Sequence, residues 1–507
     1  MRALAIVLCG LGLVLAAAST SAAPLISKVG FAERDISPEI GMEQPGNYGK
    51  AFHKNFHDPC KVRASVFDDG QSRVAIVGID ALAIRSETVK AAREKIAARC
   101  GIEPKAVLIA ASHSHEAGPL AMVLPGEYDH ADALVKKLAY EKSSMADPRY
   151  LARVEQAIAD AVCDADQKRA SLKLGFGFGH EETVGFNRRF RMRSGLSHSH
   201  PGVGNPDIVE PAGPIDPQVG VVGAFTAEGE LAGCIVNFAC HGTCDSTGIS
   251  ADWIYYLERT IRGTFGDQAI VVFVPGAGGD ITQVDNRRKF EFPQSGQRSA
   301  RFVGGRVGAE AVKTLLAMHG GGETGPVAAA SKVLTVQCRV PSAERLAKCR
   351  SLVESQPDGG SDKTEWTFAK EIVMLDALLK KDPTAKVEVQ AIQLGPAVFL
   401  ACPAEYFCQF GLDLKAKSHF PFTFPVAYAN GSCGYVPTEE ALGPRGGGYE
   451  TRLTSYSHLE PTAGRQFVDA LVDMEKAMQP GLVPALPPPP KFNGQPWTYG
   501  NVPPELK

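Results

Sequence analysis

Two histidines separated by one residue, His113 and His115, follow an apolar run that is predicted to be a buried strand over residues 106–113. Side chains on an extended segment repeat every two residues, so both imidazoles are expected to point to the same side. Ligands of open α/β sheets bind beyond the carboxyl ends of the strands, which is where this pair lies. Two imidazoles placed together suit a metal ion or an acid/base pair, and a pair of surface histidines is the alternative.

Three further apolar runs end in residues that suit metal binding or acid/base chemistry. One ends at His241, where a lone histidine could equally be structural, and another ends at Glu405. The third runs into a glycine-rich turn with Asp280 and Thr282, which suit acid/base or hydrogen-bonding roles. Nitrogen and oxygen ligands with one position left for water are typical of catalytic zinc.

Two loops carry other candidate side chains. The loop 430–450 holds Tyr435 and Tyr449, either of which offers an oxygen to such a site. A second histidine pair, His198 and His200, lies in a polar loop with no strand before it. We therefore expect the second pair to lie at the surface, outside the site.

The composition is typical of a globular protein. The chain has 507 residues, of which 44% are hydrophobic and 21% charged, and a net charge of -3. These fractions argue against a disordered, collagen-like, coiled-coil or multi-span membrane protein. Proteins that bind phosphate backbones usually carry a basic excess, so no nucleic-acid partner is expected.

Residues 1–23 have the pattern of a cleaved Sec signal peptide, with an early arginine, an apolar run and small residues at the end. An uncleaved membrane anchor is the alternative, and no later segment is apolar over the ~18 residues that a span requires. We therefore expect an exported protein, secreted or periplasmic. Removal of Cys9 would leave eleven of the 12 cysteines. They include no CxxC pair, so disulfides are expected but no thiolate zinc site.

Strand-like and helix-like runs alternate, which predicts an α/β fold with layered mixed sheets and flanking helices. No repeat or composition shift marks a boundary before residue 480, so one large domain is predicted over 24–479 and a proline-rich tail over 480–507. Long turn-rich segments inside a domain are usually functional or disordered, and three are predicted here: 118–147, 185–218 and 430–463. The predicted helices are 86–100, 149–165, 253–263, 298–317, 363–381 and 464–478, and the predicted strands and hairpins are 73–84, 106–113, 171–178, 219–240 and 386–402.

In their order along the chain, these motifs resemble the catalytic domain of the neutral/alkaline non-lysosomal ceramidase family, over roughly residues 28–478. The resemblance is carried by VGFAERDISP, ASHSHEAGP, FACHGT, GGDIT, PAEYF, GYVPTEE and GGYE. The chain resembles a short member without the C-terminal immunoglobulin-like domain of characterised ceramidases. Its 185–218 segment also differs from the ceramidases proper.

The resemblance implies an exported zinc-dependent hydrolase of an amide bond, with one Zn2+ per chain and ceramide or a related sphingolipid as a candidate substrate. It implies four zinc ligands, which are His113, His241, Glu405 and Tyr435. It implies five further residues at the scissile bond, which are His115, Arg188 (or its neighbour Arg189), Asp280, Thr282 and Tyr449.

Several points stay open at this stage. Thr282 stands where the family has serine, so a role that depends on that hydroxyl is in question. The same zinc site could act on an ester or an acylated sugar, and an inactive secreted binding protein is a further alternative. The expected partner is a small-molecule or lipid substrate, and no oligomeric state is predicted.

Overall fold

The structure is a computed structural model. It describes residues 25–26, 28–244, 248–287, 295–318, 321–322, 324–357, 359, 361–485, 488–494, 497, 499 and 502–507. The predicted signal peptide, residues 1–23, lies outside the described residues.

Five of the described helices begin after a residue whose side chain accepts a hydrogen bond from a backbone N–H of the first turn. The third helix begins after Asp147, whose carboxylate accepts hydrogen bonds from the N–H groups of Arg149 and Tyr150. The first helix ends at Gly101, which adopts a left-handed φ of 69°. The described residues form α1 (Ser86–Cys100), α2 (Ala133–Lys142), α3 (Pro148–Gln167), α4 (Trp253–Phe265), α5 (Gln297–Leu316), α6 (Ala343–Ser355), α7 (Lys363–Lys381), α8 (Cys408–Lys417) and α9 (Ala463–Glu475).

The strands include apolar, branched runs that are buried in the fold, such as Arg73–Ile79 and Val107–Ala111, and partly exposed runs, such as Ile208–Pro211. They are β1 (Lys28–Asp35), β2 (Lys61–Asp68), β3 (Arg73–Ile79), β4 (Val107–Ala111), β5 (Lys173–His180), β6 (Phe186–Asn187), β7 (Arg189–Met192), β8 (Ser197–Ser199), β9 (Ile208–Pro211), β10 (Gln218–Phe225), β11 (Leu231–Phe238), β12 (Ile270–Pro275), β13 (Ile281–Thr282), β14 (Val327–Gln337), β15 (Thr384–Leu394), β16 (Ala397–Ala401), β17 (Glu405–Tyr406), β18 (Phe422–Val426) and β19 (Tyr435–Val436).

Among the described residues, three sheets have four strands each, in the orders β1-β2-β3-β4, β12-β11-β10-β5 and β14-β15-β16-β18. Each contains antiparallel neighbours and one parallel pair, namely β3–β4, β11–β12 and β16–β18. Smaller sheets are formed by β13-β6, β17-β19 and β8-β7-β9. The predicted α/β fold with mixed sheets and flanking helices is confirmed.

The three parallel pairs end at the same region of the molecule. The segment after β18 connects them, because the Ala111 N–H donates to the Tyr428 carbonyl and the Ala427 N–H donates to the Pro275 carbonyl, both at 3.0 Å. The first two sheets also pack closely, since a Cβ atom on Gly78 would lie only 2.2 Å from the Phe273 carbonyl oxygen. The loops that follow β4, β11, β12, β16 and β18 are therefore brought together.

The turn-rich segment predicted over 118–147 contains a helix that the sequence analysis did not predict. Helix α2 begins after Asp132, whose side chain accepts from the Val135 N–H. It packs with α6 and α7 around Val123, Tyr128 and Trp366, in a core cluster of its own. This insertion forms one wall of the cavity described below. Among the described residues, no helix has the length and apolar character needed to cross a bilayer.

Candidate metal centre

Two buried histidines lie in the loops that follow β4 and β11, and each is oriented by a backbone carbonyl. The Nδ1 atom of His113 lies 2.7 Å from the Leu82 oxygen, and the Nδ1 atom of His241 lies 2.7 Å from the Gly278 oxygen. A carbonyl only accepts hydrogen bonds, so Nδ1 of each ring carries the proton. The Nε2 atom of each ring is thereby left with its lone pair, which is the usual arrangement of a metal-binding histidine.

The third histidine, His115, follows the same pattern. Its Nδ1 atom lies 3.1 Å from the Gly46 carbonyl, which again leaves a lone pair on Nε2. The loop around Gly46 packs against this residue, and a Cβ atom there would lie 2.4 Å from the Cβ of His115. Only glycine therefore allows the loop to hold this imidazole.

The three rings converge on one point. The Nε2 atoms of His113 and His115 lie 3.4 Å apart, and the ligand nitrogens of all three histidines lie within 4.8 Å of one another. With both Nδ1 protons donated to carbonyls, two lone pairs face each other and no proton lies between them. A cation at this position would convert that repulsion into coordination, so the nitrogens fit a metal ion.

A carboxylate completes this cluster. Oε2 of Glu405 lies 3.3 Å from Nε2 of His113 and 3.6 Å from Nε2 of His241. Neither this oxygen nor Nε2 of His241 has a hydrogen-bond partner among the described residues, although both are buried. Leaving such atoms unsatisfied costs about 1–3 kcal/mol each, which a bound cation would offset. We therefore call His113, His241, His115 and Glu405 the metal cluster.

The protonation states favour metal binding. Burial lowers the pKa of His115 to about 3 and that of His241 well below its usual value, so both rings are neutral near pH 7. Burial alone would raise the pKa of Glu405. The interactions with His113 and His241 lower this pKa by a larger amount, so the net pKa is below its usual range. The cluster therefore offers neutral imidazoles at His115 and His241 and an ionised carboxylate at Glu405, which are donor types that zinc accepts.

Tyr435 reaches the cluster through a strand pair. Strands β17 and β19 run parallel, and their register places Tyr435 opposite Glu405. The Tyr435 hydroxyl lies 3.4 Å from the Tyr449 hydroxyl. Burial raises the pKa of both phenols, so both keep their protons near pH 7 in the absence of a metal ion.

Arg188 lies behind the two tyrosines. Its Nη2 donates to the Tyr435 hydroxyl at 3.1 Å and to the Gly279 carbonyl at 2.8 Å. Its guanidinium also lies 5.0 Å from the centre of the Tyr449 ring. The buried charge is balanced by Glu450, whose Oε1 accepts from Nε at 2.8 Å.

The neighbouring arginine takes a different direction. Arg189 contacts Glu450 Oε2 at 3.3 Å and lies 5.2 Å from the Phe407 ring centre. It lines a separate cavity of about 350 Å³, whereas Arg188 lines the cavity of the metal cluster. Glu450, which the sequence analysis did not identify, thus holds both arginines.

Asp280 is placed away from the metal cluster. Its Oδ1 accepts from the Cys408 N–H at 2.8 Å, and its Oδ2 accepts from Asn187 Nδ2 at 2.7 Å. It lines the smaller cavity with Arg189, and it is absent from the described lining of the larger one. Both oxygens of this carboxylate thus stabilise the loop after β12. The acid/base position in the cavity that was expected from the sequence is not the one that Asp280 has.

Thr282 does line the larger cavity. It is buried, and its hydroxyl donates to Gln283 Oε1 at 2.9 Å. The Thr282 hydroxyl, which stands where the resembled family has a serine, therefore lies at the cavity. It already donates its hydrogen bond to Gln283.

The metal cluster lies in a cavity of about 710 Å³. Eight of the nine candidate residues line it, all except Asp280. Charged side chains line part of it, with an ion pair between Arg85 and Glu127 at 2.5 Å and with Glu371 and Lys386. Aromatic and aliphatic side chains also line it, including Tyr48 and Tyr456, which stack with their ring centres 5.7 Å apart, and Met122, Met374 and Leu378.

Tyr428 was not identified from the sequence. Its ring stacks on His113 with the ring centres 4.2 Å apart and the planes 21° apart. Its backbone adopts a left-handed φ of 53°, which is strained for a residue other than glycine. Its hydroxyl is buried and has no partner in the described part of the chain. Stacking of this kind fixes the plane of the His113 ring.

The second histidine pair is exposed, as predicted, but one member also belongs to the cavity. His198 lies outside the cavity, whereas His200 lines it beside Arg188, whose carbonyl accepts from the His200 N–H at 2.9 Å. Loss of water around the part of the ring that faces the cavity and the charge of Arg188 lower the pKa of His200 to about 4. This residue adopts a left-handed φ of 49°, a conformation that no sequence signal marks.

No protein-family model matches the chain, and no curated protein matches it. Among solved structures, the neutral ceramidase from Pseudomonas aeruginosa superposes with a TM-score of 0.64 at 19% identity, covering 92% of this chain and 76% of that chain. A ceramidase complexed with C2 superposes with a TM-score of 0.63 at 19% identity, covering 92% of this chain and 77% of that one. The fold resembles that of neutral ceramidase. At this identity the likeness concerns the fold alone.

Proposed function

We propose that this protein is an exported, zinc-dependent amidohydrolase that cleaves an N-acyl bond and binds one Zn2+ per chain. The observation that carries the proposal is the convergence of three unprotonated Nε2 atoms and one carboxylate oxygen in one cavity. The resemblance of the fold to neutral ceramidase supports the reaction class, and the pattern of residues 1–23 supports export.

The proposed zinc ligands are His113, His241, Glu405 and Tyr435. Zinc in such a site polarises a carbonyl and lowers the pKa of a bound water to about 7. His115 is the proposed proton carrier, because its Nε2 lies at the cluster and is unprotonated, so it can accept a proton from the attacking water and then donate that proton to the leaving amine.

Tyr449 and Arg188 are the proposed stabilisers of negative charge on the substrate oxygen. The pKa of Tyr449 is raised by burial, so its hydroxyl remains a hydrogen-bond donor at neutral pH. Arg188 is fixed by Glu450 and by the Gly279 carbonyl, so it needs no rearrangement during the reaction. Preorganised donors of this kind typically contribute about 10²–10³-fold each.

A second candidate is the same site acting on an acylated sugar. It is favoured by charged groups that line the cavity, namely Arg85, Glu127, Glu371 and Lys386. The acyl chains of a membrane lipid would leave these charges without water, which is costly. A substrate with hydroxyl groups would hydrogen-bond to them.

Both candidates are tested with one panel of substrates. The purified protein is incubated with an N-acyl sphingoid base, an N-acyl amino sugar and an acyl ester, and the released fatty acid is measured. We expect hydrolysis of at least one amide and none by the His113→Ala variant. Turnover of the ester alone would contradict the proposed amide specificity, and no turnover by zinc-loaded protein would contradict the proposed function.

Removal of the Tyr428 ring is expected to weaken zinc binding by about 10–100-fold, because partners that orient a metal ligand have effects of this size. Tyr428→Ala frees the His113 ring, whereas Tyr428→Phe keeps the stack and serves as the matched control. Competition with a chromophoric chelator measures both affinities. Equal zinc affinity in the alanine variant and the wild type would show that the stack does not orient His113.

A further inference from the structure

Two cysteines outside the cavity lie in contact. Cys100 is the last residue of α1 and Cys163 lies within α3, and their Sγ atoms are 2.9 Å apart. A disulfide bond measures about 2.05 Å, so a shift of less than about 1 Å would bring the two sulfurs to bonding distance. Cys163 is buried, while Cys100 is partly exposed and can be reached by a reagent in solution.

The two helices are already held in the required position. Ion pairs join Lys95 to Glu155 and Arg99 to Asp160, each at 2.6 Å. They connect α1 to α3 beside the cysteine pair. The ion pairs therefore hold the two helices together where the covalent bond would form.

We propose that Cys100 and Cys163 form a disulfide that cross-links α1 to α3 in an oxidising environment. Two S–H bonds break and one S–S bond forms. The two electrons and two protons pass to a small-molecule disulfide, which is reduced to two thiols. The step proceeds through a mixed disulfide between the accessible Cys100 and one half of the small molecule. The Cys163 sulfur then attacks the Cys100 sulfur and displaces that half as a thiol.

The cross-link closes a loop that contains β4, His113 and His115. A disulfide restricts the unfolded chain most when the closed loop is long. The segment that supplies two histidines of the metal cluster is thus bounded by a covalent bond. Burial raises the pKa of the Cys100 thiol to about 12, so the thiolate is scarce near pH 7 and cross-linking is faster at higher pH.

The test uses the purified full-length protein and oxidised glutathione at pH 8.5, followed by alkylation with N-ethylmaleimide and tryptic digestion. We expect CGIEPK (100–105) to be found linked to VEQAIADAVCDADQK (154–168), and both peptides to be free after reduction. Cys338→Ser, which removes another partly exposed cysteine, is expected to leave this product unchanged. Full alkylation of both peptides after oxidation, or a bond from Cys100 to any other cysteine, would overturn the proposal.

A second measurement compares melting temperatures with and without oxidant. The oxidised wild type is expected to melt about 4 °C above the same protein after reduction, as a closed loop of this length predicts. Cys100→Ser and Cys163→Ser are expected to melt like the reduced wild type and to show no change with oxidant. An oxidant-dependent rise of the same size in Cys100→Ser would assign the stabilisation to other cysteines.

Discussion

Replacement of His241 by alanine is expected to abolish zinc binding and to lower kcat/KM for amide hydrolysis by about 10³-fold or more. His241 is buried, its Nδ1 is held by the Gly278 carbonyl, and its Nε2 has no partner among the described residues except the nearby carboxylate of Glu405. A metal ion supplies several kcal/mol of charge stabilisation in the transition state, and each 1.36 kcal/mol is a factor of ten in rate.

The matched control is His198→Ala, which removes an exposed histidine outside the cavity. Zinc per chain, measured by atomic emission, is expected to stay near one in this control and to fall to near zero in His241→Ala. Far-UV circular dichroism separates loss of the ligand from loss of the fold. A folded His241→Ala protein that retained one zinc per chain would contradict the proposed ligand set.

Replacement of His115 by glutamine is expected to lower kcat by about 10²–10⁴-fold while zinc remains bound. His115 belongs to the metal cluster, but the proposed ligand set leaves it free to move a proton, and general acid/base groups contribute about this much. Glutamine keeps much of the side-chain volume and cannot carry a proton at neutral pH. KM is expected to change little, because the proton moves after the substrate has bound.

The same variant distinguishes two ligand sets. If three histidines hold the metal, the glutamine variant loses zinc to the same extent as His241→Ala. If His113, His241 and Glu405 hold it, zinc is retained and turnover is lost. Zinc content and single-turnover rates, measured on one preparation, therefore decide between a ligand and a proton carrier.

The positions of His113, His241 and Glu405 at the ends of strands were predictable from the sequence. That these three strand ends lie together in the fold was only partly predictable. Apolar runs before His113, His241 and Glu405 predicted strands, and β4, β11 and β16 lie there. That strand ends gather at one edge is a general property of α/β sheets. Which ends meet is decided here by hydrogen bonds from the segment after β18, such as Ala111 N–H to the Tyr428 carbonyl, which join different sheets.

Two residues that line the cavity, Tyr428 and His200, were not predicted to do so from the sequence. Both have positive φ values, which single residues adopt because of their tertiary surroundings. Asp280 was expected in the cavity because it follows a strand and a glycine turn, yet the turn directs its carboxylate to Asn187 and to the first N–H of α8. Strand ends indicate the neighbourhood of a site, and side-chain direction is set by the turn that follows.

The helix missed in the segment 118–147 did have a local signal. Asp132 precedes Ala133–Lys142, and an aspartate before a run with helical periodicity is a typical N-cap. The prolines and glycines around it outweighed that signal in the sequence analysis. Helix α6 has the same kind of start, because Ser342 accepts from the Arg345 N–H.

Removal of the metal tests most directly whether this cavity hydrolyses an amide with the help of one zinc ion. The protein is dialysed against a chelator, its zinc content is measured, and hydrolysis of the best amide substrate is followed before and after stoichiometric zinc is restored. We expect one zinc per chain at the start, loss of hydrolysis in the metal-free protein, and recovery with one equivalent of zinc. Full hydrolysis by the metal-free protein would contradict the account.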